Sequence, residues 1–301
     1  MLSPSRIART FAAAAALSPP LFPQQEFRFT AGVEVVLFDV SVRRRSGEFV
    51  TGLQRENFEV AEDGRKQQLR FFGKEDSPVT LGLVVDSSAS MRDKYHDVTA
   101  AADALIRAGN PADEVFVTNF NDFVWFGLPE ETPFTSDPGL LREALEWSRP
   151  AGRTALYDAV AVSLDHLRKG NRPRRSLVVL SDGGDNSSEL DFEGLLSRVR
   201  RSHATIFTIG LFARSDRDRN PGVLKRLAAE TGGAAFLNVP AGHLPRIAQD
   251  IARDVRSRYT LGYIPAAGAK AGYRRIKVTV AGPRKEKLEV RTRRGYLAPA
   301  P

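Results

Sequence analysis

The chain has 301 residues, 42% of them hydrophobic and 27% charged. That composition supports one large or two ordinary domains with a real core and excludes global disorder. The absence of cysteine excludes disulfides, thiolate metal sites and a cysteine nucleophile.

The net charge of +8 is unevenly spread. Residues 256–301 hold twelve Lys or Arg against two Glu, a net of +10, so the rest of the chain is close to neutral. This excess reads as a solvated basic face. The alternative is nucleic-acid binding through the C-terminal strands, which steep salt dependence would mark. The histidines His96, His166, His203 and His243 are scattered singly, without zinc-motif spacing, and read as surface or helix-face residues.

Residues 1–25 open with Arg6 and Arg9, continue through Phe11–Leu17 and reach Ser18-Pro19-Pro20. The order of basic, apolar and small residues is that of a signal peptide followed by a linker, which would place the mature chain outside the cytoplasm, periplasmic or secreted. No other segment has the roughly 18–20 apolar residues needed to span a bilayer.

Residues 26–77 follow as a β segment. Val33–Val42 is β-branched and partly alternating. Arg43–Glu48 reads as a turn, with Phe49–Leu53 pairing back. Asn57–Arg65 is a strand entering an Asp63-Gly64 hairpin turn, and Gln67–Phe72 is its partner. Residues 78–257 alternate strand and helix: strand Leu81–Val85, helix Arg92–Ala108, strand Glu114–Phe120, helix Gly139–Trp147 capped by Asp137, and helix Ala155–Lys169. Strand Ser176–Leu180, helix Phe192–Arg200, strand Ala204–Leu211, helix Gly222–Thr231, strand Ala235–Val239 and helix Leu244–Ser257 complete the series. Such alternation predicts an α/β unit, a doubly wound, mostly parallel sheet with helices on both faces. Residues 258–301 return to β, with strands at Tyr259–Ile264, Arg275–Val280 and Lys287–Arg293. Two or three strands alone are marginal in water, so the two flanking segments are expected to join in one small sandwich.

The chemistry concentrates in three loops. Leu81–Val85 ends in Asp86-Ser87-Ser88-Ala89-Ser90. Asp86, Ser88 and Ser90 are spaced by two, so in extended backbone their oxygens face one way. Taken alone, the pattern is also ordinary turn and N-cap chemistry. Thr154 lies at a loop-to-helix junction in Gly152-Arg153-Thr154, and Asp182 directly follows the strand Ser176–Leu180. Open parallel sheets bind ligands beyond the carboxyl ends of their strands, so these five residues can meet. Two carboxylates and three hydroxyls are hard ligands that suit Mg²⁺, Mn²⁺ or Ca²⁺ rather than zinc or copper. Asp216-x-Asp218-x-Asn220 starts like a calcium loop, but Pro221 stands where glycine is required, so it reads as a polar loop. Phe120, Phe123, Trp125 and Phe126 read as core, with a hydrophobic rim to the metal face as the minority reading.

This constellation resembles the von Willebrand factor type A domain and its metal-ion-dependent adhesion site. The matching elements are Asp86-x-Ser88-x-Ser90, then Thr154, then Asp182, within residues 78–257. One departure is Arg153 where a second glycine is common; it could hold a partner's carboxylate or point to solvent. The flanks, with Val50–Gly64 before the domain and Tyr259-Thr-Leu-Gly-Tyr263 after it, resemble the VWFA-related proteins described from Acidobacteria. The resemblance implies Asp86, Ser88, Ser90, Thr154 and Asp182 as metal ligands. It also implies an open coordination position that accepts a carboxylate from a protein partner. The expectation is a non-enzymatic, exported adhesion module. A metal-dependent phosphohydrolase is the enzymatic alternative, but no nucleophile or base with a positioned partner appears near the three loops.

Overall fold

A computed structural model describes residues 35–74, 76–146, 150–212, 218–266, 271–282 and 287–298. The expected signal peptide and the residues Trp147 and Asp216 lie outside them. The first strands are β1 (Val36–Arg44), β2 (Phe58–Glu62), β3 (Arg65–Gln67) and β4 (Leu69–Gly73). The strand–helix series then runs β5 (Val79–Asp86), α1 (Tyr95–Arg107), β6 (Glu114–Phe120), β7 (Val124–Phe126), α2 (Pro138–Glu146), α3 (Leu156–Leu167), β8 (Arg174–Ser181), α4 (Phe192–Arg201), β9 (Thr205–Gly210), α5 (Pro221–Thr231), β10 (Ala235–Leu237) and α6 (Leu244–Arg256). Four strands end the chain: β11 (Arg258–Tyr263), β12 (Gly272–Val280), β13 (Leu288–Thr292) and β14 (Gly295–Ala298).

The central sheet has the order β10-β9-β8-β5-β6-β7. Every pairing is parallel except β6 with β7. All eight residues of β5 are buried, as expected of a parallel strand with helices on both faces. Gly82 is fixed by packing, because a Cβ there would run into the Phe116 ring and Leu177 of the neighbouring strands. The chain leaves β5 toward β6 on one side and returns through β8 on the other. The crevice at the carboxyl ends of β5 and β8 is therefore the topological switch point of the sheet.

Local chemistry sets the helix ends. Asp191 accepts from Gly194 N (2.8 Å) to cap α4, and Asp137 accepts from Gly139 N (2.7 Å) ahead of α2. In α5, Pro221 takes the first turn and Gly232, at φ +76°, closes the helix. The helix expected from Arg92 instead begins at Tyr95, after a 3₁₀ turn over Ala89–Lys94.

The flanking strands combine in two antiparallel sheets, β13-β1-β11-β4 and β14-β12-β2-β3. Each sheet joins strands from before and after the α/β unit: β1 pairs with β11 (Val40 opposite Tyr259) and β12 with β2 (Val278 opposite Val60). Val40, Val60, Tyr259, Leu261 and Tyr263, all fully buried, form its core. Two local expectations are corrected. Phe49–Leu53 forms no strand; it contributes one bridge, Phe49 opposite Arg43. The segment 67–72 is not one partner strand but two: β3 pairs with β2, while β4 crosses to the other sheet and pairs with β11. The hairpin between β2 and β3 does turn at Asp63 and Gly64, both at positive φ, as a two-residue turn matching strand twist requires.

The basic C-terminal segment is not simply a solvated face. Arg258, Arg274 and Arg293 are buried. Arg274 Nη1 is 3.4 Å from Glu62 Oε1, and Arg293 donates to the carbonyls of Ser202 (2.6 Å), Arg200 (3.0 Å) and Gly295 (2.8 Å). His166 is likewise buried rather than superficial, among the rings of Phe116, Phe126 and Phe134. Where α6 leads into β11, the fully buried Asp254 is paired with Arg258 (3.0 Å), Arg43 (2.8 Å) and Arg291. Arg174 Nε donates to Thr260 Oγ1 (3.2 Å) and its Nη1 to the carbonyls of Val255 and Arg256. These groups tie the sandwich to the α/β unit.

Candidate metal centre

Asp86 ends β5 with 1% of its surface exposed. Its Oδ1 accepts from the Ser88 N–H (2.9 Å) and its Oδ2 from the Ser181 hydroxyl (2.6 Å), so the carboxylate is fixed at both oxygens. Burial, with a smaller contribution from the Asp182 charge, pushes Asp86 up to about 6 against these hydrogen bonds. The pocket therefore holds its negative charge at a cost, which nearby positive charge would relieve.

Ser88 and Ser90 follow on the loop. Their hydroxyls lie 3.1 Å apart, and Ser90 donates to Asp182 Oδ2 (2.8 Å). Ser88 is buried, while Ser90 is exposed at the surface. Asp182 follows β8, is 3% exposed, and accepts from Gly184 N at Oδ1 (2.9 Å). Asp86, Ser88, Ser90 and Asp182 are thus one hydrogen-bonded set at the switch point, with Asp86 joined through the Ser88 N–H.

Thr154 arrives on the third loop. Backbone bonds press residues 151–154 against residues 87–89: Ala151 N donates to Ser87 O (3.0 Å) and Ala89 N to Gly152 O (3.1 Å). Thr154 N donates to Asn186 Oδ1 (2.9 Å), and Thr154 O accepts from Asn186 N and Ser187 N. The structure thus gathers all three loops at the carboxyl edge of β5 and β8, with Thr154 7% exposed. Gly152 sits at φ +76°, and a Cβ there would overlap the Asp122 carboxylate.

Arg153 leans on the neighbouring loops. Its N–H donates to Asp122 Oδ2 (2.9 Å), its Nε lies 3.4 Å from Asp122 Oδ1 and its Nη2 donates to Ser187 Oγ (3.1 Å). The side chain is otherwise exposed.

Several supporting residues escape a reading of the sequence. Ser181 orients Asp86, and the only local signal was its place between β8 and Asp182. Asp185 and Ser188 accept from Tyr157 N and Ser188 from Asp158 N, capping α3 from another loop. The polar loop before α5 helps too: Asn220 N donates to Asp182 O (3.1 Å), and the Asn220 side chain caps α5. Phe123, expected in the core, stands at the tip of the β6–β7 hairpin, 77% exposed, and directly follows Asp122, which accepts from Arg153 N. Of the expected group Phe120 is buried in the core and Phe126 is 38% exposed; Phe116 and Phe207 are buried there as well.

The donor types suit a hard divalent cation: the Asp86, Ser88, Ser90 and Asp182 side chains gather at the switch point and Thr154 lies on the loop packed against them, with no sulfur or imidazole among the five. Among the described residues no group of three or more His, Cys, Asp or Glu gathers to hold a metal ion, here or elsewhere, so this site rests on two carboxylates and on hydroxyls. Nor is any helix among them long and apolar enough to cross a membrane.

The profile of the von Willebrand factor type A domain family matches residues 81–184. No curated protein matches the chain in sequence. Among solved structures, a von Willebrand factor type A protein from Catenulispora acidiphila is similar, with 12% identity, a TM-score of 0.54, and coverage of 90% of this chain and 76% of its own. That span exceeds residues 79–256, so the likeness takes in sandwich strands as well. Proximal thread matrix protein 1 of the mussel byssus is similar at 15% identity and a TM-score of 0.52, covering 65% of this chain and 51% of its own. The vWF domain of the type V pili tip protein Mfa5 from Porphyromonas gingivalis covers 59% of this chain and 95% of its own, at 12% identity and a TM-score of 0.47.

Proposed function

Since the α/β unit of this chain is a von Willebrand factor type A domain, we propose that the protein is a metal-ion-dependent binding module, not an enzyme, that captures an acidic group of a protein partner. Asp86, Ser88, Ser90, Thr154 and Asp182 would hold the divalent cation, Mg²⁺ or else Mn²⁺ or Ca²⁺. The observation that carries the reading is the hydrogen-bonded set at the switch point: the Ser88 N–H holds Asp86, and the Ser88, Ser90 and Asp182 side-chain oxygens are linked in turn. The bound cation supplies Lewis acidity toward an external carboxylate. The chain's own residues do the rest. Ser181 and the Ser88 N–H aim Asp86, Gly184 N aims Asp182, and Asn186 holds the Thr154 loop. Phe123 offers an apolar contact on the same rim, so a partner with a hydrophobic side chain beside its acidic residue fits best. The setting proposed for this activity is extracytoplasmic, through the basic-then-apolar sequence of residues 1–25.

The test is capture of proteins from an envelope fraction on immobilised chain with Mg²⁺ present, followed by elution with EDTA. Release by EDTA and no capture by Asp86→Ala is the expected result. Equal capture by wild type in EDTA and by Asp86→Ala would overturn the mechanism and leave the fold intact.

A further inference from the structure

The opposite end of β8 carries a second feature. Arg175 and Ser181 are six positions apart on the strand, about 20 Å at the usual rise, so Arg175 lies far from the metal loops. Beside it is a cleft of 370 Å³, walled by the last turns of α3 and α4 and by the segment entering β9. Arg168, Arg175, Arg198, Arg201 and His203 line it. One carboxylate, Asp165, shares the lining and lies 3.3 Å from Arg198. Among the described residues neither Arg168 nor Arg201 has a carboxylate partner. Arg175 Nη2 donates to Gly170 O (3.2 Å), while its Nε is buried with no hydrogen-bond partner.

Like charges crowd each other here. Burial first, and then the Arg168 charge, hold the Arg175 guanidinium below the usual arginine range. His203 keeps exposed surface, yet the protein around its ring and the charges of Arg293, Arg175 and Arg168 push it down to about 4. Its Nδ1 donates to Leu37 O (3.2 Å). Helix C-termini favour cations, which accounts in part for Arg168 and Arg201. They do not account for Arg175, which is on a strand, or for the convergence of these groups in a concavity.

We propose that this cleft binds a phosphate group, gripped by the guanidiniums of Arg175, Arg168 and Arg201. Planar guanidinium forks match the geometry of phosphate oxygens. The volume accommodates a phosphate carrying a small organic substituent. The site stands apart from the metal reading and does not depend on it.

The experiment titrates inorganic phosphate into the full chain at constant ionic strength, with EDTA present so that no metal-bound phosphate is counted. Calorimetry reads affinity, and NMR follows the His203 ring. Saturable binding with a rise in the His203 pKa is expected. The pair Arg168→Gln and Arg175→Gln should weaken binding by at least about tenfold, the loss expected for charged hydrogen bonds. Arg201→Gln, on an exposed side chain, serves as a second variant that leaves the fold undisturbed, and it should weaken binding as well. A His203 ring indifferent to phosphate, equal affinity in all variants, or binding only to phosphatidylglycerol vesicles and not to phosphate would each overturn the proposal.

Discussion

Asp254→Asn tests the joint between the α/β unit and the sandwich. Asp254 has no exposed side-chain surface and faces Arg258, itself 1% exposed, with Arg43 and Arg291 about a quarter exposed. Burial acts to raise its pKa, but the charges of Arg258, Arg291 and Arg43 prevail and hold the carboxyl below its usual range. Removing one partner of a buried ion pair typically costs about 3–5 kcal/mol, because the remaining charges stay buried and uncompensated. A cooperative unit of this size unfolds with an entropy of roughly 0.5 kcal/mol/K, so a loss of about 4 kcal/mol corresponds to a Tm lower by about 7–8 °C. Calorimetric melts of wild type and Asp254→Asn at pH 7 measure it. The sign with pH follows from the depressed folded pKa: the stabilisation is present above the unfolded value near 3.9 and is lost as pH falls through the folded value. The difference between the two proteins should therefore shrink in acid. A shift within about 1 °C at pH 7 would mean that the three arginines need no counter-charge.

Three further outcomes are expected. Tyr263→Phe removes the hydroxyl that donates to Glu62 Oε2 (2.6 Å) inside the sandwich. Because Tyr296 (2.8 Å) still donates to Glu62, the cost should be about 1–2 kcal/mol by denaturant titration. Gly82→Ala places a methyl against Phe116 and Leu177, and should destabilise by roughly 1–3 kcal/mol in the same titration. Phe123→Ser should leave stability within about 0.5 kcal/mol, since the ring is 77% exposed, while lowering partner capture in the EDTA-sensitive assay.

The parallel sheet was legible because its strands are uninterrupted apolar runs: Leu81–Val85 reads as buried on both faces, and all of β5 is. The three loops were legible because oxygen-bearing residues follow those runs directly. Ser181 was not, because its role depends on the pairing of β5 with β8, which places it beside Asp86 only once Val85 is set opposite Leu180. The switch of the 67–72 segment between sheets was hidden for a similar reason. Local propensity is continuous there, and the division into β3 and β4 is imposed by tertiary packing. β7 is three residues long and its aromatics carry no period, so Phe123 read as core when the hairpin turn puts it at the tip. The C-terminal arginines looked like a solvated face because the sequence does not show that Glu62 and Asp254 lie beneath them.

Asp86, Ser88, Ser90, Thr154 and Asp182 should together hold one divalent cation. Calorimetric titration of Mg²⁺ and of Mn²⁺ into EDTA-stripped, dialysed chain tests it most directly, in wild type, Asp86→Ala and Thr154→Ala. One site per chain is expected in the wild type, abolished in Asp86→Ala and weakened in Thr154→Ala. Unchanged binding in both variants, or no heat with either metal in the wild type at millimolar concentration, would contradict it.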